Sequence, residues 1–143
     1  MIFMEKRVYD TERIQTIAGF EKISGARVRD CFEHQEKLVL VVGRGDARKA
    51  VGPVGKTLRK AEEKLGKKFK IVEYHPDLLV FIKNAMLPLK ASKIELTGEG
   101  EVTVHGPDEK TRGLMIGSKA RNLRFTETIA RHYFPDLKEI KVI

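Results

Sequence analysis

The sequence predicts an α+β protein made of two similar small domains. One observation is the order helix, strand, strand, helix, glycine loop, helix, strand, which is completed once by residue 74 and then repeated. Another is that Gly52 and Gly117 lie 65 residues apart, each between two predicted helices. The chain has 143 residues, of which 41% are hydrophobic, and this is enough for two small hydrophobic cores.

The first predicted element is a helix over residues 11–24, with Asp10 or Thr11 as its N-cap. Its apolar face is expected to comprise Ile14, Ile17, Ala18 and Ile23. The segment RVRDCFEHQEKLVLVVG then predicts two strands joined by a turn at residues 34–36. Cys31 falls in the first of these strands and is expected to be a core residue.

The segment DARKAV predicts a short helix that ends at Gly52, and a longer helix begins after Gly55 and ends at Gly66. The apolar face of the longer helix comprises Leu58, Ala61 and Leu65. The opposite face comprises Lys56, Lys60 and Lys67. This cationic face is either an ordinary solvated surface or a track for phosphate groups. The segment FKIVEY predicts the third strand.

The second half repeats these elements. HPDLLVFIKNAM predicts a helix, SKIELTGEGEVTVHGP a hairpin that turns at residues 98–100, and DEKTRGLMI a short helix. GSKARNLRFTETIARHYF predicts a loop and a longer helix, and LKEIKVI the last strand. We therefore expect one domain over residues 1–74 and another over 75–143. No Gly/Ser/Pro-rich linker separates them, so we expect close packing.

Charge and composition narrow the possible partners. The net charge of +8 favours a polyanion, with nucleic acid as the first candidate and an anionic membrane surface as the second. No run of about 18 apolar residues is present to span a membrane. The single cysteine and the early charges in MIFMEKR favour the cytoplasm over a secreted location.

The two glycine loops are the candidate functional elements. An ordinary turn between helices also explains a single G-x-x-G segment, since glycine commonly ends helices. Here the arrangement recurs, and cationic helices follow both loops. A glycine lets a nucleic-acid backbone approach closely, and the start of the next helix favours phosphate. This combination is typical of the phosphate-clamping loop of KH domains, which bind about four nucleotides each.

Several longer motifs resemble the NusA family of transcription factors. VGPVGKTLRKAEEKLG, KIVEY, FIKNAM and Pro88-Leu89-Lys90 are similar to the tandem KH core of that family, and LMIGSKARNL is similar to its second loop. The likeness covers nearly the whole chain. It implies two closely packed type II KH domains, as in the short archaeal form of NusA.

The resemblance also implies a function. The chain is expected to bind single-stranded RNA, to associate with RNA polymerase and to act in transcription elongation or termination, without catalysis, cofactor or small-molecule substrate. The implied RNA-binding residues are Gly52, Pro53, Val54, Gly55, Lys56, Arg59, Lys60, Gly117, Ser118, Lys119, Ala120, Arg121, Asn122 and Arg124. A KH protein of the ribosome or of RNA processing, and a protein-interaction module with degenerate loops, remain alternatives.

Two positions depart from the family pattern. Inside the first loop, Pro53 and Val54 stand where the family usually has Arg, Lys or Gly, and the neighbouring Lys56 is expected to supply charge. The second loop closes with Ala120 in place of glycine. If that position has a positive φ, alanine costs about 1 kcal/mol or more, whereas in a helical conformation it is harmless. We expect the second loop to bind RNA more weakly.

Catalysis has little support in the sequence. The four histidines are scattered without metal-ligand spacing, which argues against a nuclease or another RNA-modifying enzyme. Asp46 and Asp108 each precede a short helix and are expected to cap it. Phe125 lies off the predicted apolar face of its helix, so it either stacks on a base or packs against the other domain. Substituting both Gly52 and Gly55 with aspartate is expected to abolish most single-stranded RNA binding and leave the fold intact.

Overall fold

The computed structural model describes residues 11–143. The chain divides into two compact units, Met1–Tyr74 and His75–Ile143. The charged opening segment and the proposed N-cap Asp10 lie outside the described residues. The predicted α+β architecture is confirmed, because each unit is a three-stranded sheet packed on helices.

The helices and strands agree closely with the predicted ones. The elements of the first unit are α1 Thr11–Ser24, β1 Val28–His34, β2 Lys37–Val42, α2 Ala47–Val51, α3 Lys56–Leu65 and β3 Phe69–Glu73. The elements of the second unit are α4 Leu78–Met86, β4 Lys93–Gly98, β5 Glu101–His105, α5 Glu109–Ile116, α6 Arg121–Tyr133 and β6 Glu139–Val142. Short 3₁₀ turns, Pro53–Gly55 and Ser118–Ala120, precede α3 and α6.

The two sheets have the same topology. In the first, β2 lies between β1 and β3, antiparallel to β1 and parallel to β3. In the second, β5 lies between β4 and β6 in the same manner. A parallel pair needs a long crossover connection. In each unit the crossover consists of two helices with a glycine loop between them, so the loops occupy equivalent places in the two units.

The core of each unit forms where helices cover one face of the sheet. In the first unit Leu38, Leu40 and Val42 of β2 pack with Phe20 and Phe69, whose ring centroids are 5.1 Å apart. Cys31 is buried in the same cluster, as predicted, and burial raises the pKa of its thiol to about 11. In the second unit the largest fully buried side chains are Phe81, Ile82, Val102, Val104, Ile129 and Ile140.

The predicted apolar face of α1 is right in part, because Ile17 and Ile23 pack against the core and the other two predicted residues do not. Ile14 is 53% exposed and Ala18 is exposed, whereas Thr16 and Phe20 are buried. The large ring of Phe20 determines which side of the helix turns inward, because it buries the most apolar surface. Thr16 tolerates burial because its hydroxyl donates a hydrogen bond to the Glu12 carbonyl at 2.9 Å.

Sequence inspection missed a pair of glutamates that join helix to sheet. Glu127 in α6 is only 2% exposed, and its carboxylate accepts a hydrogen bond from the Ile140 amide of β6 at 2.8 Å. Glu62 in α3 accepts one from the Phe69 amide of β3 at 3.1 Å. Glu62 and Glu127 are 65 residues apart, like the two loops. This tie holds the helix that follows each loop against the third strand.

Candidate nucleic-acid interface

We define the first loop as residues 52–55, which connect α2 to α3. Gly52 has φ 76° and ψ 173°, Val54 has φ 45° and ψ 34°, and Gly55 has φ 75° and ψ 12°. The Gly55 amide donates to the Gly52 carbonyl at 3.1 Å, and Lys56 begins the helical conformation at φ −62°. Three of the four residues in this loop therefore have a positive φ.

The second loop, residues 117–120, follows the same backbone path between α5 and α6. Gly117 has φ 77° and ψ 169°, Lys119 has φ 55° and ψ 33°, and Ala120 has φ 60° and ψ 23°. The Ala120 amide donates to the Gly117 carbonyl, again at 3.1 Å. The repeat of pattern in the sequence is thus a repeat of backbone conformation, despite different side chains.

The first glycine of each loop is required by the chain itself. A Cβ on Gly52 would lie 2.8 Å from the Thr57 amide nitrogen, and one on Gly117 would lie 2.9 Å from that of Asn122. Both contacts are with backbone, which cannot move aside cheaply. The expectation that aspartate at Gly52 leaves the fold intact is therefore wrong, because the side chain would collide with the start of α3.

The last position of each loop is left-handed. Of the two alternatives for Ala120, the structure has the positive φ, at 60°. Alanine in this conformation costs roughly 1–2 kcal/mol relative to a right-handed one. At Gly55 a Cβ would meet only the flexible end of Arg59, at 3.0 Å from Nη1. Glycine at this position therefore relieves strain and does not avoid a backbone collision.

Val54 is the most unusual residue of the interface. It is β-branched, has φ 45° and is 87% exposed at the tip of the first loop. A β-branched side chain at positive φ is a genuine outlier, and an exposed valine gains little from burial to offset the strain. Strained, exposed positions of this kind cluster at functional loops. The equivalent residue of the second loop, Lys119, is also exposed.

The predicted cationic residues divide into two groups. Exposed side chains beside the loops, without an ion-pair partner among residues 11–143, are Lys56, Arg59, Lys60, Lys119 and Arg121. Two other candidates form hydrogen bonds within the domain. Arg124 donates to the Glu127 carboxylate at 3.0 Å, and the side-chain amide of Asn122 donates to the Leu114 carbonyl at 3.1 Å. Arg124 nevertheless keeps 62% of its side chain exposed.

Lys67 does not belong to the predicted cationic face of α3. The helix ends at Leu65, and Gly66 turns the chain away with φ 67°. Lys67 therefore lies beyond the helix, and its ammonium group pairs with Glu12 at 3.4 Å. The cationic face next to the first loop is formed by Lys56 and Lys60, with Arg59 folded toward Gly55.

A groove beside the first loop adds a residue that sequence inspection missed. It has a volume of about 500 Å³ and is lined by Ala47, Arg48, Val51, Gly52 and Pro53. Arg48 is exposed and lies four residues, or about one helical turn, before Gly52. Residues four apart on a helix lie on the same side, so this spacing could have placed Arg48 beside the loop from the sequence. The groove gives the loop an apolar neighbour with one cation at its edge.

The two aspartates before the short helices differ. Asp108 caps α5 as predicted, since its carboxylate accepts from the Thr111 amide at 2.7 Å, and this bond lowers the pKa of Asp108. Asp46 does not cap α2. Its carboxylate instead accepts from the Arg27 amide at 2.9 Å and lies 3.8 Å from Lys49. Asp46 therefore holds the β1 start against the loop before α2.

Two features are absent from residues 11–143. No group of three or more His, Cys, Asp or Glu side chains is arranged to hold a metal ion there. In the same range no helix has the length and apolarity to cross a membrane.

Phe125 of α6, for which base stacking and packing against the other domain were the two alternatives, is half-buried.

Curated relatives from archaea match nearly the whole chain. The probable transcription termination protein NusA of Methanocaldococcus jannaschii is 34% identical over 143 residues, covering 98% of this chain and 77% of that relative. The protein of the same name from Methanococcus vannielii is 36% identical over 139 residues, covering 94% and 78%. The chain belongs to the NusA family. The predicted resemblance to a short archaeal NusA is thereby confirmed.

A solved structure agrees with this family's fold. The crystal structure of APE1850 superposes with a TM-score of 0.69 at 24% identity, covering 94% of this chain and all of that one. No family model matches the chain. In this NusA-family chain the two loops differ in residue type, with Pro53, Val54 and Gly55 in one and Ser118, Lys119 and Ala120 in the other, yet they keep one backbone conformation.

Proposed function

We propose that this NusA-family chain is a non-enzymatic transcription elongation or termination factor that clamps single-stranded RNA with its two glycine loops. The observation that carries the proposal is the shared conformation of the loops. Val54 and Ala120 both disfavour a positive φ, yet both adopt it, at 45° and 60°. A conformation kept at the cost of strain by different residues is best explained by what the loop must bind.

The first loop supplies backbone access and nearby charge. Gly55 leaves space above the chain, α3 begins directly after it, and its N-terminal amides carry a partial positive charge that favours phosphate. Lys56 and Arg59 add two cations within one turn. In this proposal the RNA backbone crosses residues 52–55, and bases enter the groove edged by Arg48.

The second loop uses charge at its tip. Lys119 and Arg121 are exposed, so a phosphate at this loop meets two cations. Ala120 places a methyl group where the first loop has none, which narrows the approach of a ribose. We therefore propose that the second loop contributes less affinity and more salt dependence than the first.

The names of the relatives support a role in transcription. These proteins are called probable transcription termination proteins. For this chain we propose nascent RNA as the ligand and RNA polymerase as the assembly at which it acts. Crosslinking in cells, with sequencing of the bound RNA, separates this proposal from a ribosomal or RNA-processing role, in which rRNA or processing substrates would be recovered.

The decisive experiment compares Gly55→Asp with Gly66→Asp. Both glycines have a positive φ, at 75° and 67°, and they lie at opposite ends of α3. The two variants therefore carry similar left-handed strain and the same added charge, although only the Cβ at residue 55 approaches a side chain, Arg59, at 3.0 Å from its Nη1. Binding of a fluorescent single-stranded RNA of about eight nucleotides is measured by anisotropy. We expect Gly55→Asp to weaken binding at least about tenfold, which corresponds to about 1.4 kcal/mol, and Gly66→Asp to weaken it much less.

Equal affinities in these two folded variants would refute the clamp and leave the first loop an ordinary turn. Circular dichroism of both variants shows whether the fold is kept. A tetranucleotide that binds as tightly as the longer RNA would show that only one loop is used, since a second contact on one strand raises affinity through effective concentration.

A further inference from the structure

The second unit contains a groove that the glycine loops do not use. It lies between α4 and β4 and has a volume of about 490 Å³. Its floor includes Leu79, Val80 and Ile94, and three lysines line it, namely Lys83, Lys90 and Lys93. None of the lining residues, all within the described part of the chain, is acidic. The groove thus combines an apolar floor with positive charge.

In the first unit an ion pair joins the first helix to β1, the strand that corresponds to β4. There Arg13 of α1 lies 3.1 Å from Glu33 of β1. Glu33 is opposite Leu38 in the sheet, and Leu38 is opposite Phe69, whose amide bonds Glu62. Glu33, Leu38 and Phe69 thus form one row across the first sheet, and the hydrogen bond from Phe69 to the helix glutamate identifies the equivalent row of the second sheet.

At the same level of the second sheet, Leu96 of β4 replaces the glutamate. Leu96 is opposite Val102, and Val102 is opposite Ile140, whose amide bonds Glu127. Leu96 is 61% exposed. The preceding helix is also shorter, since α4 has 9 residues and α1 has 14. The position that is charged and ion-paired in the first unit is therefore apolar and exposed in the second.

The lysines of this groove have unused charge. Lys93 pairs with Glu95 at 3.2 Å, but Lys83 and Lys90 have no ion-pair partner among residues 11–143. Both are exposed. Two free ammonium groups beside an apolar floor complement a ligand that alternates carboxylates with apolar side chains. In addition, β4 is the outer strand of its sheet, where an extended segment can add alongside.

We propose that the groove between α4 and β4 binds an extended acidic segment of a partner protein. Apolar side chains of that segment pack on Leu79 and Ile94 in the groove and on the exposed Leu96 farther along β4, and its carboxylates pair with Lys83 and Lys90. A protein fits this groove better than RNA does. Its lining has no arginine, aromatic or glycine residue, which are the groups that stack on bases or clamp a nucleic-acid backbone.

The test uses a labelled peptide of about twelve residues that alternates leucine with glutamate, long enough to follow an edge strand. Its affinity is measured for the unmodified chain and for the variant Lys83→Glu with Lys90→Glu. The matched control is Lys64→Glu with Lys110→Glu, which changes two exposed lysines elsewhere by the same total charge. We expect the groove variant to bind the peptide at least about tenfold more weakly and the control to bind it nearly normally.

Two further measurements isolate the mechanism. Leu96→Glu, which copies Glu33 of the first unit, is expected to weaken peptide binding about tenfold by charging the apolar surface of β4 beyond the groove. Binding of the single-stranded RNA to all variants is measured in parallel, and the groove variant is expected to bind RNA as well as the matched control does. The peptide result is therefore independent of whether the loops clamp RNA.

Three outcomes would overturn the proposal. Equal losses in the groove variant and its matched control would mean general charge attraction. A loss of RNA affinity in the groove variant alone would make the groove a nucleic-acid site. Absence of peptide binding to the unmodified chain up to about 1 mM would also reject it.

Discussion

The two glycine loops follow one backbone path and present opposite chemistry at its tip. The first loop has Val54, an apolar residue in a strained conformation, and closes with Gly55. The second has Lys119 in nearly the same conformation and closes with Ala120, which has φ 60°. The first loop thus has an apolar tip and ends in glycine, whereas the second has a charged tip and ends in an alanine that disfavours its conformation.

This difference shows which features of the loop the fold requires. A first-position glycine is present in both loops because a Cβ would collide with the next helix, near Thr57 in one and Asn122 in the other. The amide-to-carbonyl bond of 3.1 Å across each loop is also the same. The tip and the last residue are not fixed in this way, so they are free to differ in the chemistry they offer a ligand.

The largest expected effect concerns the shared first glycine. Gly52→Ala should destabilise the chain by about 2 to 4 kcal/mol, since left-handed strain and the collision with the Thr57 amide add together. Gly66→Ala is the matched control, because Gly66 has φ 67° but nothing within 4 Å of an added Cβ. We expect about 1 to 2 kcal/mol there. Chemical denaturation measures both, and equal losses would show that the collision relaxes.

Exchanging the tip residues tests the difference in charge. Val54→Lys should make the negative slope of log affinity for single-stranded RNA against log salt steeper by about 0.7, and Lys119→Val should make it shallower by about the same amount. Each cation that neutralises a phosphate releases counterions from the RNA, so the steepness of the slope reports the number of contacts between cations and phosphates. Anisotropy at several salt concentrations provides the measurement. Unchanged slopes in both variants would mean that the tip side chains do not reach the phosphates.

A smaller effect is expected at the closing position. Ala120→Gly removes about 1 to 2 kcal/mol of strain but gives the unfolded chain more entropy, worth about 0.5 to 1 kcal/mol. The net result should be a stabilisation of up to about 1 kcal/mol, with tighter RNA binding. The reciprocal change, Gly55→Ala, should destabilise the chain. Destabilisation by Ala120→Gly in chemical denaturation would contradict this assignment of strain.

The smallest expected effect concerns Asp108, which caps the short helix before the second loop. The bond from the Thr111 amide holds the pKa of Asp108 below its ordinary value of 3.8. A carboxylate with a lowered pKa contributes stability that is complete above the unfolded value and is lost as pH falls through the folded one. Melting temperatures should therefore fall less steeply below pH 3.8 for Asp108→Asn than for the unmodified chain. Identical slopes would mean that this cap adds no pH dependence.

Local pattern was sufficient for most elements of the fold. Helix stops at Gly52 and Gly66, the cap at Asp108 and the strand before the turn at residues 34–36 all depend on neighbours within about one turn of chain, which a sequence displays directly. The inward face of α1 was predicted only in part because it depends on what packs against it. Phe20 faces inward to meet Phe69, a residue distant in sequence.

The candidate site was predictable only in part, for a similar reason. The glycines and flanking cations of both loops stand in the sequence, and their residue types suggest phosphate. The sequence does not show the hydrogen bonds of Asn122 to Leu114 and of Arg124 to Glu127, because each depends on how α6 lies against its neighbours. The groove edged by Arg48 also exists only when α2 and the first loop come together.

The sequence by itself determined the order of elements, the internal repeat and membership in a family with paired glycine loops. Tertiary structure alone decided the sign of φ at Val54 and Ala120, since neither residue type favours a left-handed conformation. It also decided that Glu127 is buried and that Leu96 is exposed. The physical reason is that a residue type states local preferences, whereas burial and strain are set by contacts between segments distant in the chain.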